Sequence, residues 1–165
     1  MIGKNINKNI LINLTLVFSI FLLDRFSKLY VISESQKNLN PNLFNSKYLD
    51  IYLTWNKGVA FGLFSFKDVI IYNILNIIIL AIIIIIIFMI LKSVGIKKYS
   101  LLMILGGAVG NFYDRIFYKG VPDFIDFHIG DFHWFIFNVA DIFITIGVFF
   151  MIFLELTVTN EEKKI

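Results

Sequence analysis

Four long apolar runs divide this chain, and the stretches between them mix or alternate polar and apolar positions. A helix crossing a bilayer takes about 20 mostly apolar residues at ~1.5 Å rise each. Windows of that kind fall roughly at 9–32, 69–91, 99–117 and 135–156. The first contains ILINLTLVFSIFLL, and the second, VIIYNILNIIILAIIIIIIFMIL, carries no charge. A lone strand in lipid leaves its backbone polar groups unsatisfied, so isoleucine runs such as 82–87 read as helix. The pattern predicts an all-α membrane protein of four transmembrane helices, forming one domain over residues 1–165.

Composition agrees. The chain is 58% hydrophobic and 16% charged, against about half and about a quarter in soluble domains. Its net charge of +3 comes without an aromatic-interleaved basic patch, which argues against a nucleic-acid partner. The absence of cysteine excludes disulfides, thiolate catalysis and cysteine-based zinc sites. His128 and His133 do not form an H-E-x-x-H helix, so neither a metal nor another cofactor is expected. Lys4 and Lys8 precede the first apolar run as in a cleavable signal, but Asp24 and Arg25 follow it instead of a small-x-small site. That window therefore reads as a retained helix.

The lysines orient the spans. Lys4, Lys8, Lys92, Lys97, Lys98, Lys163 and Lys164 all fall at ends or loops on one side. By the positive-inside rule both termini are cytoplasmic, leaving residues ~33–67 and ~118–134 outside. Asp24, about 14 residues into its helix, then lies ~21 Å deep. Asn111, Asp114 and Arg115 end the third span, Asn138 and Asp141 open the fourth, and Asp123 and Asp126 lie between. Polar groups distant in sequence thus converge at the outer membrane boundary.

Such groups cost ~2.5–3.5 kcal/mol each at a helix centre, so each needs a partner or a purpose. Asp24 and Lys28 are spaced i, i+4 for an ion pair, and Asp114 is expected to pair with Arg115 or another helix. Asn111 and Asn138 sit three residues before Asp114 and Asp141, suited to interhelical hydrogen bonds or to substrate. Asp141 has no Lys or Arg within a turn, although a first-turn acid also gains from the helix dipole.

Two carboxyls sharing a site cannot both ionise cheaply, so one keeps a proton while the other is charged. That pair supplies a general base for water and a general acid for a leaving amine, which is peptide hydrolysis without metal, serine or cysteine. Ser27 and Lys28 are adjacent on a helix and point apart, GxSxG is absent, and HIGD at 128–131 lacks the first glycine of GxGD. Composition leaves open which two aspartates pair. A proton conduit would need acids through the whole membrane depth, whereas only Glu155 lies near the inner end. A non-enzymatic assembly subunit is the third reading, favoured if Asp123 and Asp141 lie far apart.

Four blocks in order then carry a resemblance. DRFSK at 24–28 is similar to D-x-x-[ST]-K, NKGVAFG at 56–62 to N-x-G-x-A-[FW]-G, GGAVGNFYDR with DFID to a third block, and FNVAD to a fourth. The chain resembles the lipoprotein signal peptidases, also called signal peptidase II. The resemblance implies a four-helix aspartyl protease of the bacterial inner membrane, its active site toward the outer face. It also implies a small extracytoplasmic β-sheet, here drawn from ~40–66, where YLDIYLTW alternates. The implied substrate is a diacylglyceryl-modified prolipoprotein, cut before its lipidated cysteine, with membrane lipid as partner and globomycin-type compounds as inhibitors. The implied catalytic pair is Asp123 and Asp141, with Asp114 competing for the first place. Asp24, Lys28, Asn56, Gly58, Gly62, Asn111, Arg115 and Asn138 are the implied binding or supporting residues. Pro122 departs from the aliphatic residue usual before the first catalytic aspartate.

Overall fold

The computed structural model describes residues 2–37, 42–58 and 69–162. In chain order these form α1 (Ile2–Lys37), β1 (Asn42–Asn45), β2 (Leu49–Asn56), α2 (Val69–Lys92), α3 (Gly95–Tyr118), β3 (Val121–Ile129), β4 (Phe132–Phe137) and α4 (Val139–Glu162). Among the described residues, three helical segments are long and apolar enough to cross a membrane: Asn9–Lys37, Val69–Lys92 and Val139–Thr157. Their apolar side chains are largely exposed, among them Ile70, Ile77, Ile85 and Leu91 of α2 and Phe149 and Phe153 of α4. Such surface has no place in water and suits lipid.

Helix α3 differs in composition because it differs in position. It packs against α1, α2 and α4, so little of it needs an apolar coat, and it can carry Asp114 and Arg115 buried. Its glycines make that position available. A Cβ on Gly107 would stand 2.4 Å from the Ala140 carbonyl oxygen, and one on Gly110 2.6 Å from Asp24 Oδ2. Backbone thus meets backbone between α3 and α4, as small residues permit in lipid, where packing replaces the hydrophobic drive. The GGAVG segment that breaks the apolar pattern is a docking surface for two helices. Farther along, at the end remote from the sheet, Ile86 and Ile90 of α2 pack with Leu101 and Leu102 of α3.

The sheet is four-stranded and antiparallel in the order β1-β2-β3-β4. Gly130 opens the β3–β4 turn at φ +59°, a conformation glycine adopts without Cβ strain at the first position of a tight hairpin turn. HIGD is therefore a turn sequence. Two expectations are corrected here. The sheet draws two of its strands from the second outer segment, beyond the expected ~40–66. Residues 132–137 form β4, so the last helix begins at Val139 rather than near 135. Apolarity alone misplaced it: in FHWFIF the aromatic and β-branched residues favour a strand. Pro122 pairs opposite Trp55 of β2, while β4 pairs only from Ile125 onward. One side of β3 is an edge at the proline, where a missing N–H is tolerated.

Candidate active site

Asn138 stands between β4 and α4 and caps the helix. Its side-chain Oδ1 accepts the Asp141 N–H at 3.1 Å, and Asp141 Oδ2 accepts the Asn138 N–H at 3.1 Å. This reciprocal box satisfies two otherwise orphaned helix donors. It also fixes the Asp141 carboxyl beside the cap. The Asn138 amide has one group left, and Nδ2 donates to Asp123 Oδ1 at 2.6 Å. One fully buried asparagine therefore ties together the two acids implied as a pair.

The other oxygen of each acid is held from a different element. Asp123 Oδ2 accepts from Asn56 Nδ2 at 3.0 Å, and Asn56 Oδ1 accepts the Gly58 N–H at 2.9 Å. Arg115 donates to the Gly58 carbonyl, fastening this loop to α3. Asp141 Oδ1 accepts from Asn111 Nδ2 at 2.8 Å. Asn111 Oδ1 in turn accepts from Lys28 Nζ at 2.8 Å, which fixes which way that amide faces.

Behind the pair lies a dry ionic cluster. Lys28 Nζ donates to Asp24 Oδ2 and Asp114 Oδ2, each at 2.7 Å, as well as to Asn111. Its three N–H donors thus meet three acceptors, and the side chain is 0% exposed. Arg25 pairs with Asp114 Oδ1 and lies over the Tyr113 and Tyr118 rings. Asp24 Oδ1 accepts the Ala140 N–H at 3.0 Å. Two cations balance two anions there. Asp123 and Asp141 then have Arg115 as the other charge of their shared cavity, which leaves one negative charge in excess. A proton shared by the pair would cancel it.

The cavity is about 440 Å³ and is lined on its polar side by Asn56, Asn111, Arg115, Asp123, Asn138 and Asp141. Its other walls are isoleucines of α2 with Ala108 and Ile144. Burial, then the Asp141 charge, push the Asp123 carboxyl up to about 6, against the pull of the Asn56 and Asn138 amides and of Lys28. The folded state thus binds this proton more tightly than the unfolded chain. Its contribution to stability is full below about 4 and is lost as pH rises through about 6. In protein carrying 13C-labelled aspartate carboxyls, one resonance should titrate near 6 and vanish in Asp123→Asn. Finding every described carboxyl titrating below 5 would contradict this.

The geometry brings together Asp24, Lys28, Asn56, Gly58, Asn111, Asp114, Arg115, Asp123, Asn138 and Asp141. Gly62 lies outside the described residues. Asp114 has both oxygens engaged by Arg25 and Lys28 and does not line the cavity. Its partners come from α1, while Arg115 reaches the Gly58 loop, so of the two expected partners for Asp114 the structure takes the other helix. Sequence reasoning left out Arg25, although a guanidinium within an apolar span signals a buried partner. It also left out the Ala140 N–H, which no side-chain pattern announces.

Residues 16–157 match the model of the family described as "Signal peptidase (SPase) II". The chain belongs to the signal peptidase II family. It is 50% identical over 155 residues to the lipoprotein signal peptidase of Pelagibacter ubique (strain HTCC1062), covering 94% of this chain and 93% of that one. The lipoprotein signal peptidase of Anaplasma phagocytophilum (strain HZ) is 36% identical, over 88% of this chain and 92% of that one. Two solved bacterial membrane enzymes are similar in fold. One aligns with TM-score 0.74 and 29% identity over 90% of each chain, the other with TM-score 0.70 and 26% identity over 87% and 92%. Membership of the family implies a membrane protease that removes signal peptides from prolipoproteins.

Proposed function

We propose that this signal peptidase II is an intramembrane aspartyl endopeptidase. It cuts diacylglyceryl-modified prolipoproteins just before the lipidated cysteine, with Asp123 and Asp141 as its acid/base pair. One observation carries the reading: Asn138 bridges the two carboxyls at the polar end of a cavity whose remaining walls are apolar. A signal helix in the gap between α2 and α4 brings its scissile bond to that end, while its diacylglyceryl chains stay in lipid. The charged aspartate takes a proton from water, and the water oxygen bonds to the scissile carbonyl carbon. The protonated aspartate gives its proton to the nitrogen as the C–N bond breaks. The two carboxyls titrate as a unit, and their roles are those of the pair. Asn56, Asn111, Arg115 and the Gly58 backbone fix the substrate chain beside it.

In this reading α3 is the fourth membrane crossing, both termini are cytoplasmic and the sheet lies at the outer face of the bacterial inner membrane. Detergent-purified protein incubated with a lipidated precursor should release the signal peptide, seen as a mass shift, and globomycin should suppress it. The same precursor without its diacylglyceryl group should remain intact. Equal cleavage of both precursors, or of neither, would count against the proposed substrate.

A further inference from the structure

On the other side of β3 a second cluster has no part in this chemistry. The two-residue period of a strand sends Asp123 and Asp126 to opposite faces. Asp126, 0% exposed, faces His128 of its own strand and His133 of β4. The two histidines are register partners across the hairpin, with rings stacked at 5.0 Å between centroids. One ligand atom from each of the three residues falls within 4.8 Å of the others.

We propose that Asp126, His128 and His133 form a binding site for a divalent transition metal ion of the zinc class. Two buried atoms of these three support it: among the described residues, Asp126 Oδ1 and His128 Nδ1 have no hydrogen-bond partner. Buried polar atoms left unpaired are costly, and a metal would satisfy both at once. Asp126 Oδ2 already accepts from the Tyr52 hydroxyl at 3.0 Å and lies 2.8 Å from His133 Nδ1. The Tyr52 hydroxyl is outer-sphere support of the kind that orients a ligating carboxylate, and the second contact holds two of the three ligands side by side.

Charge points the same way. Asp50 pairs directly opposite Asp126 in the β2–β3 register, and its oxygens are held by the Asn45 amide and the Ser46 N–H. Among the described residues no lysine or arginine forms an ion pair with either acid. Like charges directly opposite in a sheet repel, and a dication would relieve them. Two imidazoles and one carboxylate, with His133 half exposed, suit a tetrahedral ion keeping one open position for water. Zinc holds its ligands at ~2.0–2.1 Å, so binding would draw these three side chains closer together than they now stand. The ion would clamp β3 to β4.

The test uses detergent-purified full-length protein prepared without a polyhistidine tag and stripped with chelator. Equilibrium dialysis against Zn2+ should show one ion per chain with micromolar or tighter affinity, and Zn2+ should raise the unfolding temperature. His128→Phe keeps an apolar ring in the hairpin, and His133→Ala removes an exposed one. Each should weaken binding at least tenfold and abolish the thermal shift. Asp131→Asn, in the adjacent turn, should change neither. The proposal is overturned if the unaltered protein shows no saturable site below millimolar Zn2+. It is equally overturned if both histidine variants, folded by circular dichroism, bind as tightly as the parent.

Discussion

Asp141→Asn should lower cleavage of a lipidated precursor by at least about a hundredfold, and up to about ten-thousandfold, the range that general acid/base groups contribute. Asp123→Asn should do the same. An amide is nearly isosteric with a carboxyl but can neither take a proton from water nor give one to a leaving amine. The double variant should be little worse than either single one, because groups that act as a unit do not lose activity additively. Both should still fold, since the amide fills the carboxyl's volume and its one oxygen still accepts from one of the two donors at each site: Asn56 or Asn138 at residue 123, Asn111 or the Asn138 N–H at residue 141. The readout is the initial rate of signal-peptide release by mass spectrometry, with helicity in detergent as the control. If either variant were well folded and kept a tenth of the parent rate, the two-aspartate assignment would be wrong.

Lys28→Met should damage the fold itself. The substitution keeps the unbranched stem of the side chain but removes an ammonium that answers Asp24, Asp114 and Asn111 together. Removing one partner of a buried ion pair costs about 3–5 kcal/mol, because the remaining charge stays dry and uncompensated. Asp114 retains Arg25, whereas Asp24 retains only the Ala140 N–H, so Asp24 bears most of the loss. Thermal unfolding in detergent should show a large drop. Replacing Asp24 by Asn in the same protein should recover part of it by deleting the stranded charge. Unchanged unfolding of the single variant would mean that water enters the cluster.

The helices were legible because a charge-free run such as 69–91 admits one structure in lipid, and the Asp24–Lys28 pair followed from helical spacing alone. The pairing of Asp123 with Asp141 was not legible from physics. It depends on Asn138, whose two side-chain bonds form only after a strand, a cap and a helix start have come together. Resemblance alone singled out these two acids as a pair. The start of α4 was misplaced because an aromatic strand and a helix entry look alike to an apolarity window. Asp114 shows a similar limit: the sequence left both Arg115 and another helix open as its partner, and the cations that reach it, Arg25 and Lys28, come from α1.

Helix α2 is fastened differently from its neighbours. Near its start the Tyr72 hydroxyl donates to the Arg115 carbonyl at 3.0 Å, and near its far end Ile86 and Ile90 join the apolar cluster. Between those anchors it offers the cavity Leu75, Ile78, Ile79, Ile82 and Ile83, branched hydrocarbon with no hydrogen-bonding group. In the proposed reading, a peptide entering past α2 meets a hydrocarbon wall on that side of the carboxyls and polar groups where Asn56, Asn111 and Arg115 stand. The enzyme's selectivity for greasy leaders would then begin before any bond is broken, in a doorway that charges no admission to hydrocarbon and refuses anything still carrying its water.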